Sequence, residues 1–180
     1  GSIQAVGALD IRSTGLNNRA GTIASNGDLT LNATLANAIA TLDSTDGAVR
    51  SALAITLTAG ATTLTNATVT SGGNTTLNTA DLQASQARIN TLGNLTATAS
   101  GAVTADQVTL AAGGSAAITA TQGIDVNRGT VSAQTVNLNA GGILNNNAGS
   151  LTETGAADIR SAGLTNVDGT IASNGALTVN

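Results

Sequence analysis

Residues Gly7–Leu31 read GALDIRSTGLNNRAGTIASNGDLTL, and residues Gly155–Val179 read GAADIRSAGLTNVDGTIASNGALTV. The second stretch begins 148 residues after the first, and 18 of their 25 positions are identical. Between them runs weaker self-similarity with a period of about 20 residues, in the range of repeat proteins that bury a core only by stacking one unit on the next. Lining up the repeats gives eight coils: Ala8–Gly27, Asp28–Ala52, Leu53–Gly72, Gly73–Leu92, Gly93–Gly113, Gly114–Gln134, Thr135–Gly155 and Ala156–Gly175.

Most coils carry three apolar positions. One file runs through Ile11, Leu31, Leu57, Leu77, Ala97, Ile118, Leu138, Ile159 and Val179. A second runs through Leu16, Leu64, Leu82, Val103, Ile124, Leu144 and Leu164, and a third through Ile23, Val69, Ile89, Val108, Val131, Leu151 and Ile171. Around them the chain alternates, as in Leu9-Asp10-Ile11 and Val136-Asn137-Leu138, with two apolar residues turned in and one polar residue turned out. Three short strands per coil predict an all-β chain: one right-handed parallel β-helix over residues 1–180, with one longer coil. Asn26-Gly27, Gly72-Gly73, Gly113-Gly114, Gly141-Gly142 and Asn174-Gly175 fall between strands, where Gly and Asn are expected to supply left-handed backbone.

Composition agrees. The chain has 30 Thr, 22 Gly and 19 Asn, all poor helix formers, and 41% of its residues are hydrophobic against 9% charged, which is the wrong balance for disorder. No aromatic residue is present, so the interior must be narrow and filled by Leu, Ile, Val and Ala. The net charge of −4, with no basic stripe and no ring to stack a base, excludes a nucleic-acid surface. Without His, Cys or Lys there is no histidine triad, thiolate nucleophile, Schiff base or ordinary zinc site, and the chain reads as a non-enzyme with no cofactor. The Gly pairs lack the residues of a calcium nonapeptide or a phosphate loop. Asp10-Ile11-Arg12 recurs as Asp158-Ile159-Arg160, read as solvated ion pairs. Of the Thr-x-Thr pairs, Thr56/Thr58, Thr63/Thr65 and Thr68/Thr70 flank three different apolar files and the others are scattered among coils, so no continuous Thr-x-Thr rank is expected.

The second coil breaks the period. Its extra residues fall in 32–51, NATLANAIATLDSTDGAVRS, where Leu35, Ile39 and Leu42 are spaced for a helical turn, although an outward loop fits equally. Asp43, Asp46 and Arg50 make it a candidate binding loop. No starting Met, signal peptide or capping segment is visible, so the chain reads as a slice of a longer shaft, with open ends that invite end-to-end association.

The run Gly15–Leu31, GLNNRAGTIASNGDLTL, resembles the repeat of the filamentous haemagglutinin family, roughly G-L-x-N-x-x-G-x-I-x-S-x-G-x-L-x-L. Gly163–Val179 matches each fixed position except the last, where Val179 replaces Leu. The resemblance implies a large bacterial surface exoprotein of two-partner secretion, with an outer-membrane secretion partner. It further implies a right-handed β-helical shaft that carries adhesive or toxic regions toward host-cell receptors or glycans. The shaft of a contact-dependent growth-inhibition toxin and a segment that itself binds glycans remain open as alternatives. No catalytic residue is implied, and the motif's Asn and Gly positions are structural in kind.

Overall fold

A computed structural model describes residues 1–33 and 41–180. Every described coil visits three sheets in the same order, and every pairing is parallel. The first sheet has nine strands, from Ser2–Ala5 through Thr22–Ser25 to Thr170–Ser173. The second also has nine, from Leu9–Arg12 through Leu29–Ala33 to Leu177–Val179, and the third has eight, from Gly15–Asn17 through Thr41–Asp43 to Gly163–Thr165. Each strand pairs with the strand one coil earlier and one coil later, so the chain is a three-sided β-solenoid. Alternation explains the geometry: along Ile55–Ala59 and Thr75–Thr79 every second residue is buried and the others face outward.

The pairing fixes the coil lengths. Thr22 lies beside Ala48 and Gly15 beside Thr41, a step of 26 residues, whereas Thr68 to Arg88 is a step of 20 and Arg88 to Thr109 a step of 21. Asn32 stays on its strand beside Arg12 and Thr58. Thr41–Asp43 and Ala48–Ser51 hold the same register as the strands above and below them. The added length therefore falls between Ala33 and Thr41, which stand eight residues apart where the next coil needs only two, from Ala59 to Ala61. The helical turn or outward loop expected around Leu35 and Ile39 lies outside the described residues.

One continuous apolar core runs through the coils. Ile23, Leu31, Leu57, Leu64, Val69, Leu77, Leu82, Ile89, Ile118, Ile124, Val131, Leu138, Leu144, Leu151 and Ile159 are buried. Ile11, Leu16, Leu164 and Ile171, in the outermost coils, are half-buried against them. Two residues are not where the files put them. The inward position of strand Ala61–Thr63 is Thr62, between Leu42 and Leu82, while Leu64 sits one step further on at the corner between the third and first sheets. It belongs to a corner row of Asn18, Ser44, Leu64, Ala84, Ala105, Val126, Asn146 and Asn166; the first seven donate their N–H to a carbonyl of the next coil, and Asn166 accepts from Asn146 through its side chain. Likewise Leu110, beside Ile89 and Val131, fills the place assigned to Val108, which is buried at that corner. A corner residue is packed as deeply as a strand residue, so apolarity alone cannot separate the two.

The turns also correct the expectation. Among the described residues no glycine has positive φ. Instead Ala20, Asp46, Asn66, Gln86, Gln107, Arg128, Ala148 and Asp168 do, at 49–59°, each two residues after the corner row. The next N–H then closes on the corner carbonyl, as Gly47 does on Ser44 at 2.8 Å and Ala87 on Ala84 at 3.1 Å. That places the left-handed residue third in the turn, as in a type II turn. The glycines of the opposite corner serve closeness instead: a Cβ on Gly72 would collide with the carbonyl oxygen of Ala52, and one on Gly141 with that of Thr121.

Two consequences follow for stability. Thr62 is 1% exposed and its hydroxyl has no hydrogen-bond partner. Thr62→Val is expected to stabilise the chain by about 1–2 kcal/mol, the usual cost of an unpaired buried hydroxyl, measured by denaturant unfolding. Ala148 is exposed and holds φ 52° at the cost of a Cβ clash. Ala148→Gly should therefore gain about 0.5–1 kcal/mol, since the relief exceeds the extra chain entropy of glycine.

Candidate functional site

Two seams tie the coils together at their corners. At the end of each first-sheet strand one row reads Ala5, Ser25, Ser51, Ser71, Thr91, Ala112, Ala133, Glu153 and Ser173. Each hydroxyl in it reaches the coil below: Ser25 Oγ donates to the Gly7 carbonyl at 2.7 Å, Ser51 Oγ to Gly27 at 2.7 Å, Ser71 Oγ to Leu53 at 2.8 Å and Ser173 Oγ to Gly155 at 2.6 Å. The same oxygens accept the N–H two residues on, as Ser25 does from Gly27 at 3.1 Å. At the other corner Asn18 Nδ2 donates to Ser44 Oγ at 2.9 Å, and Asn146 Nδ2 to Asn166 Oδ1 at 2.7 Å. The Asn carboxamide fills space that a side chain at the following glycine would need: a Cβ on Gly21 or Gly169 would strike the Asn18 or Asn166 oxygen. The Ser, Asn and Gly of the repeat motif are thus one packing unit. The sequence signal for the hydroxyl row was the Ser of Ile-Ala-Ser-Asn-Gly, which occurs in both long copies.

Glu153 stands in that row between Ala133 and Ser173. It is 5% exposed and both carboxylate oxygens lack a partner. Burial in apolar surroundings pushes its carboxyl above the ordinary glutamate range. Sequence reading had not singled it out, because nothing local distinguishes it from an outward acid.

Asp43, Asp46 and Arg50 answer to separate neighbours. Burial pushes the Asp43 carboxyl up, but the Thr45 hydroxyl at 2.7 Å, the Thr45 amide at 2.9 Å and the Arg19 guanidinium at 3.0 Å outweigh it and hold it below the usual range. Asp46 is a left-handed turn residue that accepts from Asn66 Nδ2 at 2.7 Å. Arg50 points out from the first sheet in a column with Ala24 and Thr70. All three sit on the regular coil, and their partners differ. Among the described residues no three acidic side chains gather in a way that could hold a metal ion.

The outward face of the second sheet is the most ordered surface. One column runs Asp10, Thr30, Thr56, Thr76, Thr96, Ala117, Asn137 and Asp158; the other runs Arg12, Asn32, Thr58, Asn78, Thr98, Thr119, Asn139 and Arg160. A continuous rank of four Thr does form in the first column. Asn78 stands where a second Thr would, so the Thr-x-Thr pattern breaks while the row of small polar groups does not. These two columns are uncharged except in their outer coils, where Arg12 pairs with Asp10 at 3.0 Å and Arg160 with Asp158 at 2.9 Å. Near the second pair it dips into a shallow groove over Ala117, walled by Thr119, Asn137, Asn139, Asp158 and Arg160.

The chain matches the model of the haemagglutinin repeat three times, over residues 1–49, 39–127 and 93–180. No curated protein and no solved structure matches it.

Glu153 gives a pH-dependent test. A carboxyl whose folded pKa is raised binds its proton more tightly in the folded state. Its contribution is therefore complete below the ordinary value of 4.5 and is lost as pH rises through the folded value. Glu153→Gln should exceed the parent by about 1–2 kcal/mol at pH 7 and lose that advantage near pH 4, read as the difference between the two unfolding curves.

Proposed function

The chain belongs to the haemagglutinin repeat family, and from that premise we propose that it is a shaft segment of a secreted bacterial surface adhesin, giving length and stiffness for display. The observation that carries this reading is the unbroken parallel pairing of all three sheets through the described coils. Each coil adds about 4.8 Å of rod, and eight coils make about 40 Å. Bending such a rod would strain three ladders and both corner seams at once. The family and the solenoid are typical of structural adhesins and not of enzymes. In this reading the parent protein leaves the cell through an outer-membrane partner and meets host receptors or glycans with regions other than this one.

The two near-identical stretches occupy equivalent places in the three sheets, seven coils apart: Leu9–Arg12 and Ala157–Arg160 both lie in the second sheet, and Thr22–Ser25 and Thr170–Ser173 both lie in the first. A chain in which residues 8–155 are duplicated in tandem should therefore fold as one longer solenoid. Small-angle X-ray scattering should show a rod extended by about 34 Å at constant cross-section. A doubled chain that scatters as two jointed bodies would refute the shaft. In parallel, the labelled chain should show no saturable binding to epithelial cells or immobilised glycans. Saturable binding would move adhesion into this segment.

A further inference from the structure

Going beyond the shaft reading, we propose that the outward face of the second sheet is a self-association surface on which two copies of this chain pair side by side, pointing the same way. The face is parallel-paired along its whole length, and its two outward columns carry no charge between the outer coils. Its charges lie in one arrangement at both ends: Asp10 and Arg12 in the first coil, Asp158 and Arg160 in the eighth, each two residues apart on one strand. Arg12 and Arg160 are 65% and 61% exposed at the side chain, so each keeps donors free for a second carboxylate.

A two-fold axis running along the rod exchanges the two columns. It sets Asp10 against Arg12 of the second copy and Asp158 against Arg160 of the second copy, giving a four-charge cluster of alternating sign at each end. Contact of this kind is isologous, with one patch serving both partners. The same operation sets Thr119 of the second copy over Ala117, so that a protruding side chain meets the groove where the column is lowest. An antiparallel pair does the opposite, bringing Asp10 against Asp158 and Arg12 against Arg160, and like charges across an interface are strongly disfavoured. Eight coils by five-residue strands cover about 600 Å² on each copy, or about 1,200 Å² in all, at the lower limit for a specific interface. The pairing is therefore weak and salt-sensitive, a contact to be multiplied along a longer shaft.

Sedimentation equilibrium at low and high salt tests this with charge variants at exposed positions, each checked for folding by circular dichroism. D10R/D158R and R12D/R160D each place like charges across the axis, and each should lose association by roughly tenfold or more. Their equimolar mixture should recover it as a heterodimer. The full exchange D10R/R12D/D158R/R160D keeps complementarity and should associate like the parent. A nitroxide on Thr178→Cys should meet its counterpart at short range by pulsed electron resonance. A parent that stays monomeric in low salt, single-sign variants that associate as well as the parent, or a label pair a shaft length apart would each overturn the proposal.

Discussion

Each backbone strand of this chain can satisfy its hydrogen bonds only through the coils before and after it. No coil has a core of its own, and among the described residues no sheet contains a hairpin that could close locally. Everything else in the structure serves that constraint. The inward Leu, Ile and Val fill a narrow triangular interior, and the corners turn the chain without breaking the ladder. The Ser and Asn seams occupy polar groups that the corners would otherwise bury unpaired. Two buried side chains are left without a bond, Thr62 on an inward strand position and Glu153 in the hydroxyl row.

The corners divide the conformational work in an unexpected way. The left-handed turn residues are Ala, Asp, Asn, Gln and Arg, while the glycines hold ordinary φ and let one coil's backbone lie against the next. A left-handed alanine is costly, yet the turn recurs because the N–H that follows must reach the corner carbonyl if the next strand is to enter the first sheet in register. Where the corner side chain is Asn or Ser, the residue three positions on is Gly, as at Asn18/Gly21, Ser44/Gly47 and Asn146/Gly149. Where it is Leu64 or Ala84, that residue is Ala67 or Ala87.

The solenoid was legible in the sequence because its information is periodic. Two-residue alternation marks strands such as Leu9–Arg12, and the 20-residue period marks which strands are neighbours. The corners were less legible, since Leu64 and Val108 are as apolar as any strand residue and a buried turn looks like a buried strand. The polar face was less legible for a related reason. Thr and Asn are interchangeable on an outward strand, so the surface is continuous in size and polarity where the sequence of residue types is not. Asp43, Asp46 and Arg50 lie on strands and a turn in register with the neighbouring coils, a placement that the broken period of this coil hides in the sequence.

Series stacking also sets how such a rod meets force. Every strand is held by its neighbours about 20 residues away, so a pull along the axis acts first on an end coil, and the coils behind it yield in turn. A coil that peels off replaces about 4.8 Å of rod with about 70 Å of extended chain. Under load the shaft therefore lengthens stepwise while the remaining coils stay folded, and each released coil can rewind onto the intact edge when the tension falls. Stiffness under small forces and compliance under large ones arise from the same ladder.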